Sequence, residues 1–234
     1  MYHDITKEEK PCADMVVTLQ SFSAQMQWLS LKKFQTLTVV QLINQLTQSK
    51  KLSGKLCLIT FDDAYSTVLH YAKPIMDQYG FVATVFPVVA AIGKHNIWDP
   101  HLPKRPCMNR HELKLLQRNN WEIGSHGLTH INLARSQPER IRKEVQESKQ
   151  QLEQTLGEAV QTFCYPYGAC SSQAHTIVKS AGYTSACAIK PQTSSVTDDV
   201  LALRRVYVRG SDSLLSFRRK ISLWHLKYRA LRKR

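Results

Sequence analysis

Apolar positions along the chain follow two alternating rhythms: short unbroken runs, and longer stretches where they return every third or fourth residue. The second rhythm marks a helix through Phe22, Met26 and Leu29 behind a cap at Thr18 or Ser21. Another runs through Val39, Leu42, Ile43 and Leu46 behind Thr38. It returns over residues 66–79, at Leu113, Leu115 and Leu116 behind the capping pair Asn109 and Glu112, over 138–156 and over 171–181. Pro138 opens the longest of these and Gly157 follows its end, as helix termini prefer. The unbroken runs predict strands at 56–61, 81–89, 121–123, 161–165, 184–188 and 203–208. Strand and helix alternate with short connections, so the class is α/β, with a parallel sheet or barrel. Only 94–108 reads as a long loop, and it carries Trp98, Asp99 and His101.

Composition narrows this picture. A chain of 234 residues, 43% hydrophobic, can bury one large core, and with nine Gly and nine Pro it is neither fibrous nor disordered. No Pro/Gly/Ser-rich linker divides it. Cys12, Cys57, Cys107, Cys164, Cys170 and Cys187 are scattered without a C-x-x-C pair, the pattern of reduced thiols. No run of about 18 apolar residues is present and the first residues have no apolar signal core, so a cytoplasmic protein is expected.

The formal charge of +14 is concentrated at the C-terminus, where Arg218, Arg219, Lys220, Lys227, Arg229, Arg232, Lys233 and Arg234 meet no acid. Phe217, Ile221, Trp224, Tyr228 and Leu231 recur at helical steps among them. Residues 213–234 therefore predict a basic amphipathic helix beside a domain at 1–212. Two readings stand: peripheral contact with an anionic membrane surface, or docking of the apolar stripe on the domain with its cations solvated. Charge alone does not make a nucleic-acid site, and no such motif is present, so no nucleic acid is expected.

The chemistry gathers at strand ends. Thr60-Phe61-Asp62-Asp63 closes an apolar run, and paired carboxylates there are costly unless a cation or a shared proton relieves them. Gly124-Ser125-His126-Gly127-Leu128-Thr129-His130 follows a second run and sets two imidazoles four residues apart. One Asp and two His suit Zn²⁺ with a position left for water, and Co, Ni or Mn are the other candidates.

With Phe163-Cys164-Tyr165-Pro166-Tyr167-Gly168 added in this order and spacing, the chain resembles the polysaccharide deacetylases, carbohydrate esterase family 4. Tyr2-His3 and Leu203-Arg204-Arg205-Val206 extend the resemblance over nearly the whole length. It implies a single-domain, distorted (β/α)7-type barrel and metal-dependent removal of N-acetyl groups from amino sugars of a polysaccharide, oligosaccharide or lipid-linked glycan. The alternative is a carbohydrate-binding protein of the same fold with weak or no turnover. By resemblance Asp63, His126 and His130 hold the metal, Asp62 is the general base, and the Tyr167 backbone N–H faces the oxyanion. Tyr165, Pro166, Arg204, Arg205 and His3 would bind or orient the substrate. With the basic tail, this suggests exopolysaccharide or glycolipid biosynthesis beside a membrane.

Three departures carry further expectations. Ala64 stands where the family usually has Gly; a left-handed Ala costs about 1 kcal/mol, so Ala64 is expected outside that region. Cys164 replaces an Arg that orients the catalytic Asp, leaving Arg204 or Arg205 to supply the guanidinium, and itself reads as a small buried residue. The late Leu-x-His that supplies the general acid has no counterpart, which leaves metal-bound water, His3 or an arginine-positioned carboxylate.

Overall fold

The computed structural model of the chain describes residues 1–9, 13–48, 53–100, 103–189 and 199–222. It opens with β1 (Asp4–Thr6), β2 (Val16–Thr18), α1 (Leu19–Leu31), β3 (Phe34–Leu37), α2 (Val39–Thr47), β4 (Lys55–Leu58) and β5 (Thr60–Asp63). Next come α3 (Lys73–Asp77), β6 (Thr84–Pro87), α4 (Arg110–Arg118), β7 (Glu122–Ile123) and α5 (Pro138–Leu156). The last elements are β8 (Thr162–Cys164), α6 (Ser172–Ser180), β9 (Ser185–Ala188), β10 (Leu203–Arg204) and α7 (Leu214–Ile221). Every helix boundary read from a cap is met: Thr18 and Thr38 accept from the N–H groups of Ser21 and Gln41, Asn109 and Glu112 form a capping box, and Gly157 ends α5 in the left-handed region.

All the strand ladders are parallel, in the class expected of alternating strands and helices. Among the described residues their pairing order is β10-β9-β8, β5-β6-β7, β3-β4 and β1-β2, four short sheets and not one continuous barrel wall. Isolated bridges link them, Ser125 to Phe163 between β7 and β8, and Tyr2 to Phe61 beside β5. The segment after β10 meets the chain's first residue, with the Met1 amine donating to Val206 O at 2.7 Å and Val208 N–H to Met1 O at 3.1 Å. Within this arrangement Phe61, Val85 and Phe163 join one buried cluster with Val145 and Val178 of the surrounding helices.

Four local differences from the sequence reading have physical causes. The run 56–61 divides at Ile59: half-exposed β4 pairs with β3, while fully buried β5 pairs with β6. Over 66–79 a π-helical turn, Val68–Ala72, precedes α3, where Pro74 has no N–H to continue an α-helical ladder. The strands β1, β2 and β3 are additional, too short to show a period. Finally, the basic C-terminal helix is described only as α7, and Trp224, Tyr228 and Leu231 lie outside the described residues. Phe217 is buried against Trp28, with ring centroids 6.1 Å apart, so this part of the stripe docks on α1 and does not offer Phe217 to a membrane. No described helix is long and apolar enough to cross a membrane.

Candidate metal and catalytic site

Parallel strands deliver Asp62 and Asp63 from the end of β5, His126 from just after β7, and Cys164 from the end of β8 to one place. This is the carboxyl end of the sheet, where loops of α/β folds collect. Gly124 lets the chain leave β7, since a Cβ there would lie 2.4 Å from Phe86 Cε1. Backbone strain concentrates at the same end: Asp63, Ala64, His130 and Tyr167 are four of the six described non-glycine residues with positive φ. Ala64, at φ 52°, is thus left-handed, contrary to the expectation from its side chain. Its methyl group is buried, and the Met108 N–H donates to its carbonyl at 2.8 Å; these contacts hold the turn against its intrinsic cost.

Asp63, His126 and His130 face one another. Asp63 Oδ1 lies 3.8 Å from His126 Nε2 and 3.6 Å from His130 Nε2, all three side chains are buried, and Asp63 Oδ1 has no hydrogen-bond partner. His126 Nδ1 contacts Cys164 O at 2.8 Å, which reserves Nε2 for the cluster. Burial holds both imidazoles below their ordinary range, His130 down to about 2, so each presents a lone pair. Burial, then the neighbouring Asp62 charge, pushes Asp63 well above the usual carboxylate range. Three converging lone-pair donors, one an orphaned buried oxygen, fit a divalent cation.

Asp62 is held differently. Arg205 grips it through two parallel bonds, Nη1 to Oδ1 at 2.6 Å and Nη2 to Oδ2 at 2.8 Å, and Nη1 also donates to Thr60 Oγ1 at 3.0 Å. Burial alone would raise the Asp62 carboxyl, but Arg205 and then His126 hold it well below its ordinary value, ionised at neutral pH. Arg205 therefore supplies the guanidinium, and both it and its neighbour Arg204 line a cavity that none of Asp63, His126 and His130 reaches. Cys164 Sγ lies 3.6 Å from Asp62 Oδ2 and 3.0 Å from Arg205 Nη2, and burial pushes its thiol well up, as suits a small packed residue. Asp62, His126 and Cys164 also converge within 4.8 Å, but Arg205 satisfies that set without an ion.

The remaining candidates separate. Tyr167 is half-exposed, its ring 4.7 Å from that of His130, and Trp98 of the 94–108 loop flanks the same imidazole at 4.9 Å. Tyr165, just before the turn Pro166–Gly168, is fully buried and donates to Leu201 O at 3.1 Å, so its side chain packs into the core. His3 packs edge-on to Tyr207, its Nδ1 buried without a partner, and burial lowers it to about 4. His101 lies outside the described residues.

Glu144 escaped the sequence reading. From α5 its buried carboxylate accepts from the N–H groups of Leu128 at 3.0 Å and Thr129 at 2.7 Å, fixing the loop that carries His130. The signal was available: an acid on the apolar stripe of Ile141, Val145, Leu152 and Leu156 is costly to bury unless it has donors to meet.

The Asp63 environment has a measurable consequence. A carboxyl raised in the folded state stabilises it at low pH, and that contribution is lost as pH rises through the folded value. In chelated protein, Asp63→Asn is therefore expected to raise the melting temperature at pH 8, by about 2–4 °C for each kcal/mol recovered, with the gain shrinking towards pH 4. Thermal unfolding at both pH values checks this; equal melting points at pH 8 would contradict it.

The fold and site together define a class: the chain belongs to the polysaccharide deacetylase family, whose family model matches residues 49–186. It is similar to the protein YxkH of Bacillus subtilis (strain 168), with 29% identity over 209 residues, 89% of this chain and 70% of that one. A poly-beta-1,6-N-acetyl-D-glucosamine N-deacetylase of Staphylococcus aureus (strain MRSA252) is 23% identical over 175 residues, and the match spans 71% of this chain but only 58% of that protein. In fold, the chain resembles the Streptococcus pyogenes deacetylase PplD, solved in complex with acetate, with a TM-score of 0.82 and 19% identity over 95% of this chain and 96% of that one.

Proposed function

We propose that the protein is a metal-dependent hydrolase that removes N-acetyl groups from amino sugars of a glycan. The observation that carries this is the division of labour between adjacent carboxylates: Asp63 turns an unpartnered oxygen towards His126 and His130, while Arg205 holds Asp62 apart and ionised. Family membership and the Staphylococcus aureus relative support a poly-N-acetylated substrate. The isolated bridges and the Met1 contacts support reading the four sheets as a distorted (β/α)7-type barrel.

Asp63, His126 and His130 would hold the cation, Zn²⁺ by its ligand types, which when bound lowers the pKa of water and polarises the acetamide carbonyl. Asp62 accepts the proton of the attacking water; Arg205 keeps it ionised and fixes its direction. The Tyr167 backbone N–H is the donor for the tetrahedral oxyanion. The Nδ1 of His3 is buried without a partner, but burial holds this imidazole neutral at pH 7, so the proton for the leaving amine is assigned to no side chain. The rings of Trp98 and Tyr167 give the sugar apolar faces on either side of His130.

Acetate release from a panel of N-acetylated oligosaccharides, with and without chelator, tests the reading. Activity should disappear on chelation and return with Zn²⁺, and His126→Ala should lose both metal binding and turnover. Full metal affinity in His126→Ala would remove the proposed ligand set. Chelator-insensitive acetate release would remove the metal mechanism.

A further inference from the structure

A cavity of about 720 Å³ lies among α1, β3, α2, β4, the segment after β10 and α7, and none of Asp63, His126 and His130 lines it. Its size is that of a small-molecule site. Trp28, Phe34, Leu42, Leu46, Leu56 and Ile221 make its wall aromatic and aliphatic. A sugar placed there would bury hydroxyls against side chains that cannot hydrogen-bond them. A hydrocarbon chain would meet favourable contact along this aromatic and aliphatic part of the wall.

Charge marks one end. The parallel pair β3-β4 starts with Phe34 opposite Lys55, and Lys32 lies two residues before Phe34, so Lys32 and Lys55 stand exposed at the same end of that pair. Both line the cavity, and neither has an acidic partner among the described residues. Within, the wall reaches Arg205, whose Nε–H is buried without an acceptor. An apolar interior with cations at its edge is complementary to an amphiphile with one tail and one anionic head.

We propose that this cavity binds a single-chain anionic lipid of the fatty-acid class, its tail against Phe34, Leu42 and Leu56 and its carboxylate at Lys32 and Lys55. This site is additional to the deacetylase centre and does not depend on that assignment. An occupant would press on the far side of the guanidinium that holds Asp62, so binding has a route to the catalytic end.

Isothermal titration of the full chain with dodecanoate, below its micelle concentration, tests this, with butyrate and dodecanol as controls. Saturable binding of one dodecanoate is expected, at least tenfold tighter than butyrate, which lacks the tail, and than dodecanol, which lacks the charge. Leu46→Trp, which fills the cavity, should weaken dodecanoate at least tenfold. The exposed double variant Lys32→Glu/Lys55→Glu should do the same without disturbing packing, and decides the matter if Leu46→Trp does not fold. Absence of saturable binding, several equivalent sites, or unchanged affinity in the lysine variant would overturn the proposal. So would binding to phosphatidylglycerol vesicles without binding to free dodecanoate, which would make the lysines a surface patch.

Discussion

Replacing Asp62 by Asn is expected to slow acetate release roughly 10²-fold or more, the scale of losing a general base, while metal affinity stays near that of the parent protein. The two aspartates differ only in what surrounds them. Asp62 has both oxygens on Arg205, whereas Asp63 Oδ1 faces His126 and His130 with no hydrogen bond. Asn keeps the shape of Asp62 but cannot accept a proton at neutral pH. Steady-state acetate release together with metal titration of the same preparation checks this. Near-normal turnover would remove Asp62 from the mechanism, and loss of metal with activity would make it a ligand.

Arg205→Ala should cost about 3–5 kcal/mol of stability, because it leaves the Asp62 carboxylate buried at 2% exposure without its counter-charge. Activity should fall with it, since Asp62 would be freed to take up a proton. The cost should be strongly non-additive: adding Asp62→Asn to Arg205→Ala removes the stranded charge, so the double variant should be more stable than the sum of the single effects by about 1–3 kcal/mol. Denaturant unfolding of the four proteins in this cycle gives the coupling directly. Additive effects would mean that the ion pair seen in the fold does not contribute as a pair.

How much of this was legible beforehand follows from the range of each cause. Helix ends were readable because a cap is a contact between near neighbours: Thr38 with Gln41, Asn109 with Glu112, Gly157 after Leu156. The Asp62-Asp63 pair and the His126, His130 pair were readable because each is local and chemically improbable as packing. Arg205 was not separable from Arg204, since successive strand residues point to opposite sides and only the assembled sheets say which side is inside. Phe217 likewise had an apolar stripe but no visible partner until Trp28 was placed beside it.

By itself, then, the sequence determined the α/β class, the helix boundaries marked by caps and the residue types of the candidate metal-binding set, because these rest on periodicity and on contacts a few residues long. Tertiary structure alone decided that Arg205 pairs with Asp62, that Glu144 fixes the His130 loop, that Ala64 is left-handed and that Tyr165 faces the core. Each of these depends on groups that stand far apart in the chain or on a turn held by its surroundings. Their energies come from burial and from charges brought together, and neither exists until the strands are side by side.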